Sequence, residues 1–270
     1  MPIIKYKLYL VLLAFIMVSD AYADNRFSVA PGLMYFDYEE RGDDGSFLDG
    51  ETGPVFGATV TLERNINYKD TAVLYGGIYT GTVDYDGHTQ SGIPIQTDTK
   101  ANFYTLGAAA QVPVEGQGDT LSIIIGYRFK RWERDIQSVG FVSGLYEIYQ
   151  WQEFNLGAQY TLKQPDNTDW RFFAGLFRTQ NANIKIDLSP QGYGKPELSL
   201  GTDTGLELSI QWMKVRPNNR DLAVKLSYKA WEFGRSPNEL SSGPSGTVIV
   251  HEPKSETSTI MLELVISSSN

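Results

Sequence analysis

The chain has 270 residues, a formal net charge of −9 and no cysteine. An acidic chain lacks the basic face that neutralises phosphates, which argues against nucleic acid as a partner. The absence of cysteine excludes disulfides, thiolate chemistry and a lipid anchor attached at a cysteine.

The first residues have the three parts of a secretory signal peptide. Lys5 and Lys7 form a charged region, residues 8–18 an apolar region, and residues 21–23 an Ala-Tyr-Ala cleavage site. The apolar run is shorter than the roughly 20 residues that a membrane-spanning helix needs. We therefore predict a cleaved signal peptide over residues 1–23 and a single folded domain over residues 24–270.

Segments in which apolar and polar side chains alternate follow one another from residue 26 onward. This alternation is typical of strands, because successive side chains point to opposite faces. The ten predicted strands are residues 27–38, 54–64, 71–83, 104–112, 121–132, 153–162, 170–179, 205–212, 222–231 and 259–266. The fifth one, LSIIIGYRFKRW, has one wholly apolar face and a second face that ends with Arg128 and Lys130.

Two kinds of connection take turns along the chain. Short turns occupy residues 65–70, 115–119, 163–169 and 216–221, and long polar loops occupy 39–53, 84–100, 133–145, 180–197 and 234–256. Bacterial transmembrane barrels have this asymmetry, with short periplasmic turns and long extracellular loops. The pattern predicts an all-β fold: an antiparallel transmembrane β-barrel of ten strands, with eight as the alternative.

The tryptophans lie near the ends of the predicted strands. Aromatic side chains form girdles where a membrane-spanning barrel meets the two interfaces. We therefore predict girdle positions for all five tryptophans, namely Trp132, Trp151, Trp170, Trp212 and Trp231.

With alternating segments such as LSIIIGYRFKRW and LGTDTGLELSIQW, the exported chain resembles the bacterial outer-membrane β-barrel proteins. The resemblance covers the whole mature chain and is one of pattern and size. In strand number and length it is similar to the omptin proteases and to the ten-stranded adhesin barrels.

The first catalytic candidates are Asp84, Asp86 and His88, at the end of the third predicted strand. Paired carboxylates can hold a proton or activate water, and the resemblance to omptins matches Asp84 and Asp86 to their paired aspartates. Omptins also need an Asp/His pair from a later loop, where this chain has Asp187 but no histidine. The alternative is a solvated acidic loop.

His251 and Glu252 are the candidates for a second enzyme class, the lipid-A-modifying barrels. Such a deacylase needs a histidine, a serine and an acid, and no serine here stands at a suggestive spacing.

Acidic residues in the first long loop are candidates for a divalent cation site, because hard cations prefer clustered carboxylates. They are Asp43, Asp44, Asp49 and Glu51. The alternative is an ordinary acidic surface loop.

Charged residues fall on the face opposite the apolar one and are predicted to lie in the lumen. The basic ones are Arg128, Lys130, Lys225 and Lys229, and the acidic ones Glu63, Glu153, Asp203, Glu207 and Glu263. Charges inside a narrow barrel must be paired or hydrated. A plug held by salt bridges and a small ion-selective pore are both compatible with this set.

These patterns predict a monomeric outer-membrane barrel with a structural or surface-interaction role through its extracellular loops and no cofactor. Expected partners are outer-membrane lipid, lipopolysaccharide and an extracellular protein or glycan. The alternatives are an omptin-like or lipid-A-modifying hydrolase and a narrow channel for ions or small solutes.

Overall fold

The computed structural model describes residues 25–66, 70–89, 92–114, 120–215 and 220–269, so the predicted signal peptide lies outside the described residues. The strands are β1 (Asn25–Arg41), β2 (Phe47–Asn65), β3 (Thr71–His88), β4 (Pro94–Val114), β5 (Thr120–Ile136), β6 (Leu145–Lys163), β7 (Thr168–Asp187), β8 (Glu197–Ser199), β9 (Thr204–Lys214), β10 (Arg220–Phe233), β11 (Glu239–Gly243), β12 (Gly246–Val250) and β13 (Lys254–Ser269). A 3₁₀ turn, Ser189–Gln191, precedes β8. No helix in the described ranges is long and apolar enough to cross a membrane.

Ten of these strands close into an antiparallel barrel. Neighbours in the chain pair in order, β6 pairs with both β5 and β7, and β1 closes the circle by pairing with β13. The short β8 pairs with the far end of β7 beside β9, and β11 and β12 form a separate hairpin. The predicted ten-stranded barrel is confirmed, and the eight-stranded alternative is wrong.

The outer wall carries an apolar band that starts at the end with the short turns and both termini, which we call the turn end. Exposed side chains of the band include Ile125, Phe129, Phe154, Leu176 and Ile260. In β5 the band covers 121–129, which matches the roughly 9–11 residues that a transmembrane strand needs. The fold is therefore a transmembrane β-barrel.

Beyond the band, towards the opposite or loop end, the strands continue as a wall that we call the extension. There the outward residues of β5 become Arg131, Glu133 and Asp135, while the inward residues Trp132 and Arg134 stay buried. A polar outer face suits water, and a packed inner face keeps the strands paired.

The extension corrects the predicted long loops, most of which are strand. Residues 84–88 belong to β3 and residues 94–100 to β4, so the second predicted loop shrinks to the segment between them. The other loops contribute to the wall in the same way, and the fifth folds back as the β11–β12 hairpin. Polar outward residues look like loop residues in a sequence, although here they alternate with packed inward ones.

Candidate functional site

A layer of aromatic side chains crosses the lumen at the base of the extension. The Trp132 ring stacks on Phe103 from β4 and on Tyr149 from β6, with ring centroids 5.6 Å and 4.7 Å apart. Phe36 from β1 meets the edge of Trp132 at 5.1 Å. Trp151 and Trp231 complete the layer, with centroids 6.1 Å apart. Rings from β1, β4, β5, β6 and β10 thus pack against one another inside the barrel, and aromatic pairs in such geometry are stabilising.

Three tryptophans of this layer were predicted to lie in the girdles. Trp132, Trp151 and Trp231 are only 1%, 3% and 8% exposed, so the prediction is wrong for these three. Each of the three lies on the inward face of its strand. Trp132, for example, falls on the same face of β5 as Arg128 and Lys130. Trp170 and Trp212 face each other across β7 and β9 on the outer wall, and for them a girdle position stays a prediction.

A cluster of ionised groups lies in the extension, beyond the aromatic layer. The guanidinium of Arg134 contacts four carboxylates: Nε lies 2.8 Å from Glu51, Nη1 lies 3.0 Å from Glu40 and 2.9 Å from Glu147, and Nη2 lies 3.1 Å from Asp49. The four acids come from β1, β2 and β6, so one side chain of β5 ties together strands on both sides of it. We call this set the Arg134 cluster.

A fifth carboxylate, Glu252, joins the Arg134 cluster through two tyrosines. The hydroxyl of Tyr149 donates a hydrogen bond to Glu252, and that of Tyr38 donates to Glu40 at 2.8 Å. The two hydroxyls lie 3.1 Å apart. Glu252 lies in the segment between β12 and β13. The Arg134 cluster therefore attaches this segment to the wall of the extension.

The Arg134 cluster contains more acids than its one cation can neutralise. Burial, followed by the charges of Glu40 and Glu51, raises the pKa of Glu147 to about 7 against the opposing effect of Arg134. Burial and the neighbouring acids also raise the pKa values of Asp49 and Glu252 well above their usual range. Protonated carboxyls therefore make up part of this cluster at neutral pH.

A second ion network lies on the turn-end side of the aromatic layer. Arg128 contacts Glu153 at 3.0 Å and Glu207 at 2.6 Å, and Lys229 contacts the same Glu153 at 2.6 Å. Lower down, Lys225 pairs with Glu263 at 3.4 Å. These are residues predicted for the lumen, and together with Trp151, which donates to Glu153 at 2.9 Å, they tie β5, β6, β9 and β10 together.

The remaining residues predicted for the lumen are not ion-paired in this network. Lys130 and Glu63 line the lumen cavity. Asp203 lies in the segment just before β9, where it accepts a hydrogen bond from the backbone N–H of Thr204.

Glycines make room for the ring that supports this second network. Phe177 points inward between the cations, with Lys229 Nζ 4.2 Å and Arg128 Cζ 5.6 Å from its centroid. A methyl group built on Gly205 of the neighbouring strand would lie 2.1 Å from the Phe177 ring. Glycine at position 205 is therefore required by close packing.

The catalytic candidates of β3 lie outside the lumen. Asp84, Asp86 and His88 are all exposed on the outer face of the extension, where Asp84 stands opposite Asp98 of β4. Asp187, the acid of the later loop, is paired with Lys195 at 2.6 Å. The omptin-like arrangement inferred from the sequence is therefore not assembled by these residues. His251 is exposed whereas its neighbour Glu252 is buried, so this pair does not share a site either.

The four cation-site candidates separate into two places. Asp43 lies 3.5 Å from Arg235, and Asp44 accepts hydrogen bonds from Ser46 in the tip of the first connection. Asp49 and Glu51 point inward and bind Arg134. The predicted common site is therefore wrong, because the alternation of β2 directs the second pair into the lumen. Within the described ranges, no group of three or more acidic or histidine side chains is placed to hold a metal ion.

The barrel is similar in structure to the outer membrane protease OmpT from Escherichia coli, at a TM-score of 0.57 and 8% identity, over 93% of this chain and 98% of that one. This chain has the fold of the bacterial outer-membrane β-barrels. Weaker likenesses include the transport unit of the autotransporter AIDA-I from Escherichia coli (TM-score 0.44, 10% identity, 95% and 96% covered) and OprG from Pseudomonas aeruginosa (0.41, 12%, 91% and 96%). The sequence matches no known family and no curated protein.

Proposed function

We propose that this protein is a bacterial outer-membrane barrel that acts through the outer surface of its extension and loop end. The observation that carries the proposal is the packing of buried side chains inside the barrel. The aromatic layer and the Arg134 cluster lie one above the other in the lumen, which disfavours solute transport and leaves the exposed surfaces as the part that acts. The apolar band and the predicted signal peptide support an outer-membrane location.

The loop end offers apolar groups for contact with a partner. Phe141 is 88% exposed in the segment between β5 and β6, and Leu240 is 70% exposed in the β11–β12 hairpin. Three more apolar side chains are exposed there: Phe47 at the start of β2, Ile93 just before β4, and Ile249 in β12. Exposed aromatic and aliphatic side chains of this kind anchor protein–protein contacts. The acidic outer wall, with Asp84 and Asp98, adds polar contacts around them.

Single-channel recording tests whether the packed lumen conducts. In a planar bilayer the purified barrel should give no conductance steps, whereas Trp132→Ala combined with Tyr149→Ala and Arg134→Ala should give them, because the stacked rings and the centre of the Arg134 cluster are then both removed. Steps from the unmodified protein would overturn the proposal in favour of a channel.

Binding assays test the surface role. The barrel in nanodiscs is passed over immobilised extracellular-matrix proteins, glycosaminoglycans and lipopolysaccharide. Phe141→Ser with Leu240→Ser should weaken the observed binding about tenfold or more, while Thr80→Ser on the outer wall serves as the control. A hydrolytic activity that disappears in Asp84→Ala would contradict the proposal and favour an enzyme.

A further inference from the structure

We infer that the lumen below the aromatic layer is a blind pocket for a small organic carboxylate, entered from the turn end. A cavity of about 350 Å³ occupies this part of the barrel. Its lining runs from Arg26, Gln111 and Arg171, near the turn-end limits of their strands, to Trp151 and Trp231 in the aromatic layer. Cavities of this volume hold small-molecule ligands. The aromatic layer lies at the other end of the cavity, so among the described residues the turn end offers the route for a ligand.

The charged side chains on the turn-end side of the aromatic layer leave one cation without an ion-pair partner. Three basic side chains, Arg128, Lys130 and Lys229, share the two carboxylates of Glu153 and Glu207. Among the described residues, Arg128 and Lys229 make the ion pairs with these acids that lie within 4 Å. Lys130 lines the cavity and has no ion pair among the described residues. An unpaired ammonium away from bulk water is costly, and a bound monoanion would neutralise it.

Polar groups around the cavity also lack partners. The Ser227 hydroxyl and the Trp231 indole N–H are buried, line the cavity and make no hydrogen bond with described residues. Both can donate hydrogen bonds, as an anion requires. They lie on the lumen face of β10 on either side of Lys229. Glu153 of β6 links Lys229 to Arg128 of β5. A carboxylate therefore finds a cation from β5 and donors from β10.

The rest of the lining selects an organic body over a bare inorganic anion. Four aromatic side chains border the cavity: Tyr75, Phe173 and two members of the aromatic layer, Trp151 and Trp231. Flat aromatic walls favour a flat apolar group, and the polar donors fix its orientation. At the mouth, Arg26 is paired with Asp221 at 2.9 Å, while Arg171 and Glu63 also line the cavity.

Calorimetry on the full mature barrel in detergent tests the pocket with matched probes. Benzoate should bind, and benzamide, which has nearly the same shape without the charge, should bind at least about tenfold more weakly. Lys130→Met should reduce benzoate affinity by a similar factor, whereas Lys100→Met on the outer wall should leave it unchanged. Heat-modifiable migration of each variant verifies that the barrel is folded. Equal affinity for the two probes, binding of neither, or an equal loss in Lys100→Met would overturn the inference.

The absence of cysteine permits a second test of where the ligand lies. A Ser227→Cys variant introduces the only thiol in the chain. A small thiol reagent should modify it in the folded barrel, and benzoate, but not benzamide, should slow the modification. A thiol that reacts only after unfolding in urea, or one that benzoate does not protect, would contradict the pocket. Either failure leaves the proposed role of the loop-end surface untouched, because that role depends on other residues.

Discussion

Nη1 of Arg134 lies 2.9 Å from Glu147 and 3.0 Å from Glu40, and it bridges β6 and β1 inside the extension. The same guanidinium also holds Asp49 and Glu51. A single buried cation thus connects four strands beyond the apolar band, namely its own strand β5 and the strands β1, β2 and β6.

Arg134→Gln should strongly destabilise the extension. Removal of one partner from a buried ion pair leaves uncompensated charge and typically costs about 3–5 kcal/mol. The matched control is Arg131→Gln, on the outer wall, where Arg131 pairs with Glu133 at 2.7 Å and the expected loss is about 0–1 kcal/mol. Denaturant titration followed by circular dichroism measures both. Equal losses in the two variants would contradict the role of the Arg134 cluster.

Stability should fall as the pH rises, because the Arg134 cluster contains raised carboxyl pKa values. Glu147 has a pKa raised from 4.5 to about 7. The folded state therefore keeps a proton that the unfolded state releases, and the stability present below pH 4.5 is lost as the pH rises through about 7. The pKa values of Asp49 and Glu252 are raised as well, so these two carboxyls change stability in the same direction.

Glu147→Gln should flatten the pH profile between pH 4.5 and 7, since the glutamine binds no proton in either state. Thermal midpoints measured across this window test the expectation, with Glu133→Gln on the outer wall as the control. An unchanged slope in Glu147→Gln would show that another group is responsible.

Gly205→Ala should destabilise the second ion network. The added methyl group meets the Phe177 ring at 2.1 Å, and overpacking of this kind typically costs about 1–3 kcal/mol. At Gly76 the same methyl group would have its nearest neighbour at 3.6 Å, so Gly76→Ala is the control and should change little. If both variants unfold at the same denaturant concentration, the close packing at Gly205 is not limiting.

Brominated lipids should quench tryptophans selectively. A single-tryptophan variant that keeps Trp170, which is 36% exposed on the apolar band, should lose fluorescence in such vesicles. A variant that keeps only Trp132 should not, because that ring is stacked inside the lumen. The reverse result would restore the girdle assignment of Trp132 and remove the aromatic layer.

The alternation of side chains predicted the barrel, its ten strands and the lumen position of Arg128 and Lys229. The same alternation also places Trp132 and Arg134 inside, although the preference of tryptophan for interfaces suggested the opposite. Extending the parity of β5 past Trp132 would have found the centre of the Arg134 cluster.

Other features depend on contacts that one strand does not reveal. Phe172 and Phe173 are adjacent in β7, and Phe173 can point inward because Gly157 and Gly175 leave room for its ring. The partners of Arg134 come from segments that are far apart in the chain, so their convergence follows from closure of the barrel. The separation of Asp43 and Asp44 from Asp49 and Glu51 likewise follows from where β2 begins.

In the extension, strands such as β3 and β5 have a buried inner side and a more accessible outer side. Arg134 and Tyr149 are buried in the lumen, while Asp84 on the outer side is exposed. Substitutions can accumulate on the outer wall without disturbing the buried contacts that stabilise the extension. The outer wall of the extension is therefore suited to the display of grafted recognition patches in the laboratory.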